Sequence, residues 1–273
     1  MKTSNPVLAR LGQAAERERA AGYAPAGPYG QPGHGQPYPT AAGYPAAPPT
    51  VAPMTIDDVV VKTVTLLGVT GLSAAAAWVL VPDALLGITM IGSAIVGLVL
   101  GLIISFSRMA NPALIVGYAV IEGVFVGLVS KFFQVVAGYQ GIVLQAVVAT
   151  FGVFFLMAGL YKLKVIRATP KFTRGLIAAM AGVFAVMMIN LVLALFGVDT
   201  GLRSGGPIAI IFSLICIVVA SLSFVLSFHE VEEGVRLGLP QRYSWVAAFG
   251  ILVSLIWLYI EILRLLSFFQ GDD

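Results

Sequence analysis

A few side chains in this sequence could do chemistry inside an otherwise apolar chain: Glu122, Asn190, His229, Glu230, Glu261 and Arg264. Glu122 sits in the middle of "YAVIEGVFVGLV". Glu261 lies in "SLIWLYIEILRLLSFF", with Arg264 three residues on. Such a carboxylate can bind and release a proton, or offer its oxygens to a passing cation. Ionised at the centre of a bilayer it costs about 2.5–3.5 kcal/mol on insertion scales, so few positions accept one. Glu261 has two readings. It is either a structural partner of Arg264, which shares its helix face at i+3, or a titrating group whose neighbour Arg264 snorkels to the membrane boundary. Glu122 has no basic neighbour at helical spacing, which favours a functional role. Asn190, in "VMMINLVLALF", suits a hydrogen bond between helices. His229 opens "HEVEE", where Glu230, Glu232 and Glu233 form either a solvated loop or helix end or part of a titrating cluster, since histidine changes charge near neutral pH.

Other chemistries are excluded or unsupported. There is no G-x-x-x-x-G-K-[ST] phosphate loop and no G-x-S-x-G nucleophile turn. "HEVEE" has Glu233 where a zinc protease helix needs its second histidine. We therefore expect no catalytic residues, no enzyme activity and no resident cofactor. A single cysteine, Cys216, rules out a disulfide within the chain, and His34 and His229 alone cannot make a histidine-rich metal site. The net charge of +3 is not gathered into one dense basic patch, so nucleic acid is not an expected partner.

The elements that must position these residues follow from composition. The chain is 59% hydrophobic and 11% charged, where soluble domains carry about 25% charged residues. The surplus apolar surface implies lipid. Seven apolar runs, at about 60–81, 86–105, 112–132, 139–161, 175–197, 207–228 and 245–267, are each near the ~20 residues a spanning helix needs. The expected fold is all-α, a polytopic seven-transmembrane-helix bundle at 59–273. Residues 1–58 form a separate unit, rich in Pro, Gly and Tyr from Gly22 to Pro53, which reads as a disordered cytoplasmic tail. Basic residues gather in the tail and the even-numbered connections (Lys162, Lys164, Arg167, Lys171 and Arg174 above all), while the other side holds Lys131, Arg203 and Arg264. By the positive-inside rule the N-terminus is cytoplasmic and the C-terminus external.

Three stretches, "SNPVLARL", "NPALIVGYAVIEGVFVGLVSKFF" and "FHEVEEGVRLGLPQRYSWVAAFGILVSLIWLYIEILRLL", give the chain a resemblance to the Bax inhibitor-1 family, its bacterial branch in particular. The resemblance implies a seven-helix protein of a bacterial-type plasma membrane. It also implies a pH-sensitive calcium leak that uses one carboxylate on the sixth helix and one on the seventh. The latter falls on Glu261 and the former on His229, a departure, because a His–Glu pair attracts where two carboxylates share a proton. Calcium wants several oxygen ligands. Glu122 and Glu230 are the acids that could compensate, and Glu261 and Glu122 are the expected transient calcium contacts.

Three functions compete on this reading. The first is a cation leak, calcium its substrate, gated by protonation around Glu261. The second is a non-transporting regulator that binds another membrane protein, as implied by one bacterial relative that modulates a membrane-bound ATP-dependent protease. The third, proton-coupled solute transport, lacks any visible inverted repeat or broken helix pair. On the first reading Glu261→Gln removes the pH dependence and leaves the fold intact. His229→Asp, which restores the paired carboxylates, increases calcium sensitivity. The oligomeric state is not readable from the sequence.

Overall fold

Thr55 opens the first of the described helices. Its hydroxyl accepts the Asp58 N–H at 3.1 Å and the Asp58 carboxylate accepts the Thr55 N–H at 3.1 Å. This reciprocal cap satisfies two of the N–H groups that a helix start leaves unpaired. In this computed structural model, which describes residues 52–106, 111–198, 200–202 and 206–270, seven long helices follow. They are α1 (Ile56–Leu80), α2 (Leu86–Phe106), α3 (Pro112–Lys131), α4 (Ile142–Lys162), α5 (Pro170–Leu195), α6 (Pro207–Arg236) and α7 (Tyr243–Gln270). Each is long and apolar enough to cross a membrane. Three begin with proline at the first turn, where its missing N–H costs nothing. Asn111 and Thr169 cap α3 and α5 with their side chains, and Gly206 precedes α6.

Two boundaries differ from the sequence expectation. α1 starts at Ile56, so the expected division at 58/59 falls inside its first turn; the rest of the expected tail lies outside the described residues. α6 does not stop near 228 but runs to Arg236, which puts His229, Glu230, Glu232 and Glu233 on the helix. The cause is local pairing. Arg236 holds Glu233 in an i,i+3 ion pair, and the Tyr161 hydroxyl at the end of α4 bonds Glu232 at 2.5 Å.

The helices alternate in direction, which gathers the start of α1, the ends of α2, α4 and α6 and the start of α7 at one end of the bundle, here the Met54 end. α7 is the central element: 61% of its most apolar stretch is buried, against 11% in α5. It packs on α1, α3, α4 and α6, whereas α5 packs chiefly on α6 and α2 chiefly on α3. Lipid is no less apolar than leucine, so such packing depends on close approach of small residues rather than on hydrophobic burial. The α1–α3 seam shows this. A Cβ added to Gly123 would stand 2.5 Å from the Thr70 carbonyl oxygen, and one on Gly127 would stand 2.7 Å from Ala74 Cα. Across the same seam the Thr70 hydroxyl donates to the Ala119 carbonyl at 3.2 Å.

At the Met54 end the chain before α1 is laced to the α6–α7 connection. Met54 N–H donates to the Leu239 carbonyl at 2.7 Å and Gln241 N–H to the Ala52 carbonyl at 2.9 Å. The Gln241 amide reaches Asp58 at 2.7 Å. Lys62 donates to the Gln241 carbonyl at 3.1 Å and to Ser244 Oγ, and its ammonium lies 5.6 Å from the centre of the Trp245 ring. Met54 itself is 3% exposed, its methyl against Gly234.

Candidate functional site

α6 and α7 run antiparallel, and their seam carries polar groups at two levels. Near mid-seam the Ser223 hydroxyl donates to Ser254 Oγ at 3.0 Å. Further from the Met54 end, Ser213 Oγ lies 3.4 Å from Glu261 Oε2 and 3.4 Å from the Glu261 carbonyl oxygen. Glu261 is 1% exposed. On its other side the Arg264 guanidinium donates through Nη2 to Oε2, an ion pair between two buried side chains. The i,i+3 spacing on one helix lets the pair form without help from a neighbour. Arg264 therefore does not extend to the membrane boundary as the second sequence reading had it; its first turn of reach goes back to Glu261. The pair leaves Arg264 Nε and Nη1 buried without a hydrogen-bond partner among the described residues. A guanidinium carries five N–H donors in a rigid fork, and one carboxylate oxygen satisfies only part of that set.

Two residues before Glu261 on α7, the Tyr259 and Ser130 hydroxyls lie 2.6 Å apart, joining α7 to α3. The Lys131 ammonium next along α3 pairs with Asp83 at 2.7 Å and bonds the Val81 carbonyl at 2.8 Å. The first contact fixes the C-terminal half of α7 against α3, as the Ser213 contact fixes it against α6, and the second ties α3 to the α1–α2 connection.

The other sequence candidates are not brought to this seam. The 16 residues between Ser213 and His229 on α6 correspond to about 24 Å of helix, so His229 is not the partner of Glu261; Ser213 stands there instead. His229 is half-buried near the Met54 end and Glu230 is exposed beside it. Aligning the two helices by residue types alone could not show this offset, because the register of an antiparallel pair is set by which small residues meet. Asn190 is bonded by the Thr200 hydroxyl from the α5–α6 connection, not by a neighbouring helix.

Glu122 occupies a different seam, between α2 and α3. Its carboxylate lies over Gly97, where an added Cβ would meet Oε1 at 2.7 Å, and the Tyr118 side chain one turn earlier is its hydrogen-bond partner. Glu261 and Glu122, the two expected transient calcium contacts, thus lie in two different seams. Among the described residues no group of three or more His, Cys, Asp and Glu side chains could hold a metal ion.

Ser213, Ser223 and Ser254 were missed in the sequence because serine is common on helix–helix faces and carries no charge to mark it. For Ser213 and Ser223 the signal was the small-residue spacing along "AIIFSLICIVVASLS". The lacing at the Met54 end was also missed, since Met54 and Gln241 are unremarkable in composition.

The comparison with known proteins places this bundle in a family. No curated protein matches the sequence. The model of one family, described as Bax inhibitor 1 like, matches residues 5–271. With nearly the whole length covered, this chain belongs to the Bax inhibitor 1 like family.

Proposed function

We propose that the protein is a non-enzymatic, passive cation leak of a bacterial-type plasma membrane, with calcium as substrate, and that this conformation is its closed state. The observation that carries the reading is the buried Glu261–Arg264 pair against Ser213 in the α6–α7 seam. While both groups are charged they cancel, and the seam stays shut. When Glu261 takes a proton, Arg264 becomes a buried cation without a counter-charge, a state several kcal/mol above the paired one. α7 ends only two turns beyond Arg264, so the long side chain can then snorkel to the outer boundary. That motion removes a positive charge that would repel cations and leaves Ser213 and a neutral Glu261 lining the opened seam. Acidification opens the leak on this account.

Several titratable groups on the elements around α7 lie at the Met54 end or are engaged elsewhere. Lys62 of α1, and Tyr161 and Lys162 of α4, lie at the Met54 end. On α3, Lys131 is engaged with Asp83 and Tyr118 with Glu122. The relatives' pH-sensitive calcium leak, implied by the sequence resemblance, supports calcium as the ion. The basic connections at the Met54 end support a cytoplasmic N-terminus, which reporter fusions at the two termini check: activity of a cytoplasmic reporter at the C-terminus would contradict it.

The test uses a variant that keeps the seam neutral. Glu261→Gln with Arg264→Met has neither charge and no titrating group, so its calcium flux in liposomes should not change with pH. A wild-type pH profile in that variant would sink the gating role of the pair. A second reading, a regulator that docks another membrane protein through its tail, is favoured by the lacing of Ala52 and Met54 onto the α6–α7 connection, which would transmit a pull on the tail to that seam.

A further inference from the structure

The α2–α3 seam holds an acid that the account of Glu261 does not use. Glu122 is partly exposed at mid-helix, and its carboxylate packs over the backbone of Gly97, with Oε1 and Cδ 2.7 and 3.2 Å from where a Cβ would be. Gly101, one turn on, makes the same kind of room for Tyr118: an added Cβ there would be 3.3 Å from the Tyr118 ring. The two glycines form a slot in α2 that the Glu122 and Tyr118 side chains fill. The Tyr118 ring meets Phe249 of α7 edge-on at 4.9 Å, so its hydroxyl is held at Glu122.

Among the described residues no cation is paired with this carboxylate. α2 contains no ionisable residue from Leu86 to Phe106. On α1 the ionisable residues are Asp57, Asp58 and Lys62, all in the first two turns at the Met54 end, where Asp58 and Lys62 are bonded to the α6–α7 connection. On α3 itself Lys131 is more than two turns away and paired with Asp83. The ionisable groups of α7 nearest this level, Tyr259 and Glu261, are bonded to Ser130 and Arg264. One carboxyl and one hydroxyl are too few oxygens for calcium, which takes roughly six to eight. A proton needs only one.

We infer that Glu122, in the slot formed by Gly97, Gly101 and Tyr118, is a proton-binding site, occupied when α2 is seated on α3. The carboxylic acid form fits the slot because it brings no charge into an apolar seam. The carboxylate form has only the Tyr118 hydroxyl to replace its water, and favours a state in which α2 lifts and water enters. α2 is suited to this motion, since it packs chiefly on α3 alone. This site is separate from the α6–α7 seam and stands whether or not that seam conducts.

The test is chemical labelling of the full-length protein in lipid vesicles with dicyclohexylcarbodiimide. This lipid-soluble reagent reacts with the protonated acid: the carboxyl O–H adds across a C=N bond, and the O-acylisourea rearranges to a stable N-acylurea. Peptide mapping by mass spectrometry then locates the adduct. The expected result is an adduct on Glu122 at neutral pH that is lost as the pH is raised, while a water-soluble carbodiimide marks exposed Asp57 and Asp83 instead. An unlabelled Glu122 at neutral pH, or labelling that does not fall with alkalinisation, would overturn the inference. Neither result depends on any ion flux, so this site and the role of Glu261 fail or survive separately.

Discussion

Replacing Glu261 by glutamine changes the protein by one oxygen and one charge, and the structure makes that change costly. The side chains of Glu261 and Arg264 are 2% and 10% exposed, and two further Arg264 nitrogens already lack partners among the described residues. Glutamine would leave the guanidinium charged, buried and uncompensated. Breaking a buried pair from one side costs about 3–5 kcal/mol, and a lone charge at membrane depth costs about 2.5–3.5 kcal/mol on insertion scales. The two ranges meet near 3 kcal/mol, roughly a hundredfold in the folding equilibrium. Arg264→Met should cost less, because the stranded carboxylate can neutralise itself by taking a proton. The double variant removes both charges and should return to within about 1 kcal/mol of wild type, since apolar or neutral replacements of buried pairs are often tolerated. Unfolding in mixed micelles with increasing dodecyl sulfate, followed by circular dichroism, measures all four proteins and closes a double-mutant cycle. If Glu261→Gln unfolds at the wild-type midpoint, or the double variant is no better than that single one, the two side chains are not energetically paired and the reasoning is wrong. The sequence alone predicts a harmless glutamine; the ion pair reverses that expectation.

The lacing at the Met54 end makes a sharper claim about the tail. Deleting residues 1–50 should leave thermal stability in detergent unchanged, whereas deleting 1–55 removes two backbone hydrogen bonds and a side chain 3% exposed. Met54→Ala alone should cost about 2–5 kcal/mol, the usual range for a buried methionine truncated to alanine. Equal melting of the two truncated forms would refute it. His229→Asp should leave the pH profile of calcium flux at wild type, because about 24 Å of helix separates His229 from the level of Ser213. A shifted profile would restore the pairing that the sequence suggested.

The bundle was legible because its signal is coarse. Seven runs of about 20 apolar residues can only be helices in a bilayer, where the backbone must satisfy itself. Even there the ends moved. The acidic "HEVEE" reads as a boundary, yet α6 continues through it, with Glu233 paired to Arg236 and Glu232 hydrogen-bonded by Tyr161. The site was legible in part. Glu261 and Glu122 stand out because a carboxylate in an apolar run has few explanations. Their partners did not, since each depends on helix register: Ser213 rather than His229 across from Glu261, and Gly97 beneath Glu122. A shift of one turn slides an antiparallel seam by about 5.4 Å, and nothing in the local composition of α6 distinguishes the two registers. Arg264 was visible, but whether it turns inward or snorkels depends on whether Glu261 faces protein or lipid, which only packing decides.

The central claim, that the buried pair closes a cation path and acid opens it, is tested most directly by calcium flux into liposomes that contain only this protein and a trapped fluorescent indicator. With the external pH lowered stepwise, the account predicts little flux at alkaline pH and a rise as Glu261 protonates. Empty liposomes and the Glu261→Gln, Arg264→Met double variant should show no such rise. Absence of protein-dependent calcium entry at every pH, with the protein shown to be folded, would contradict it.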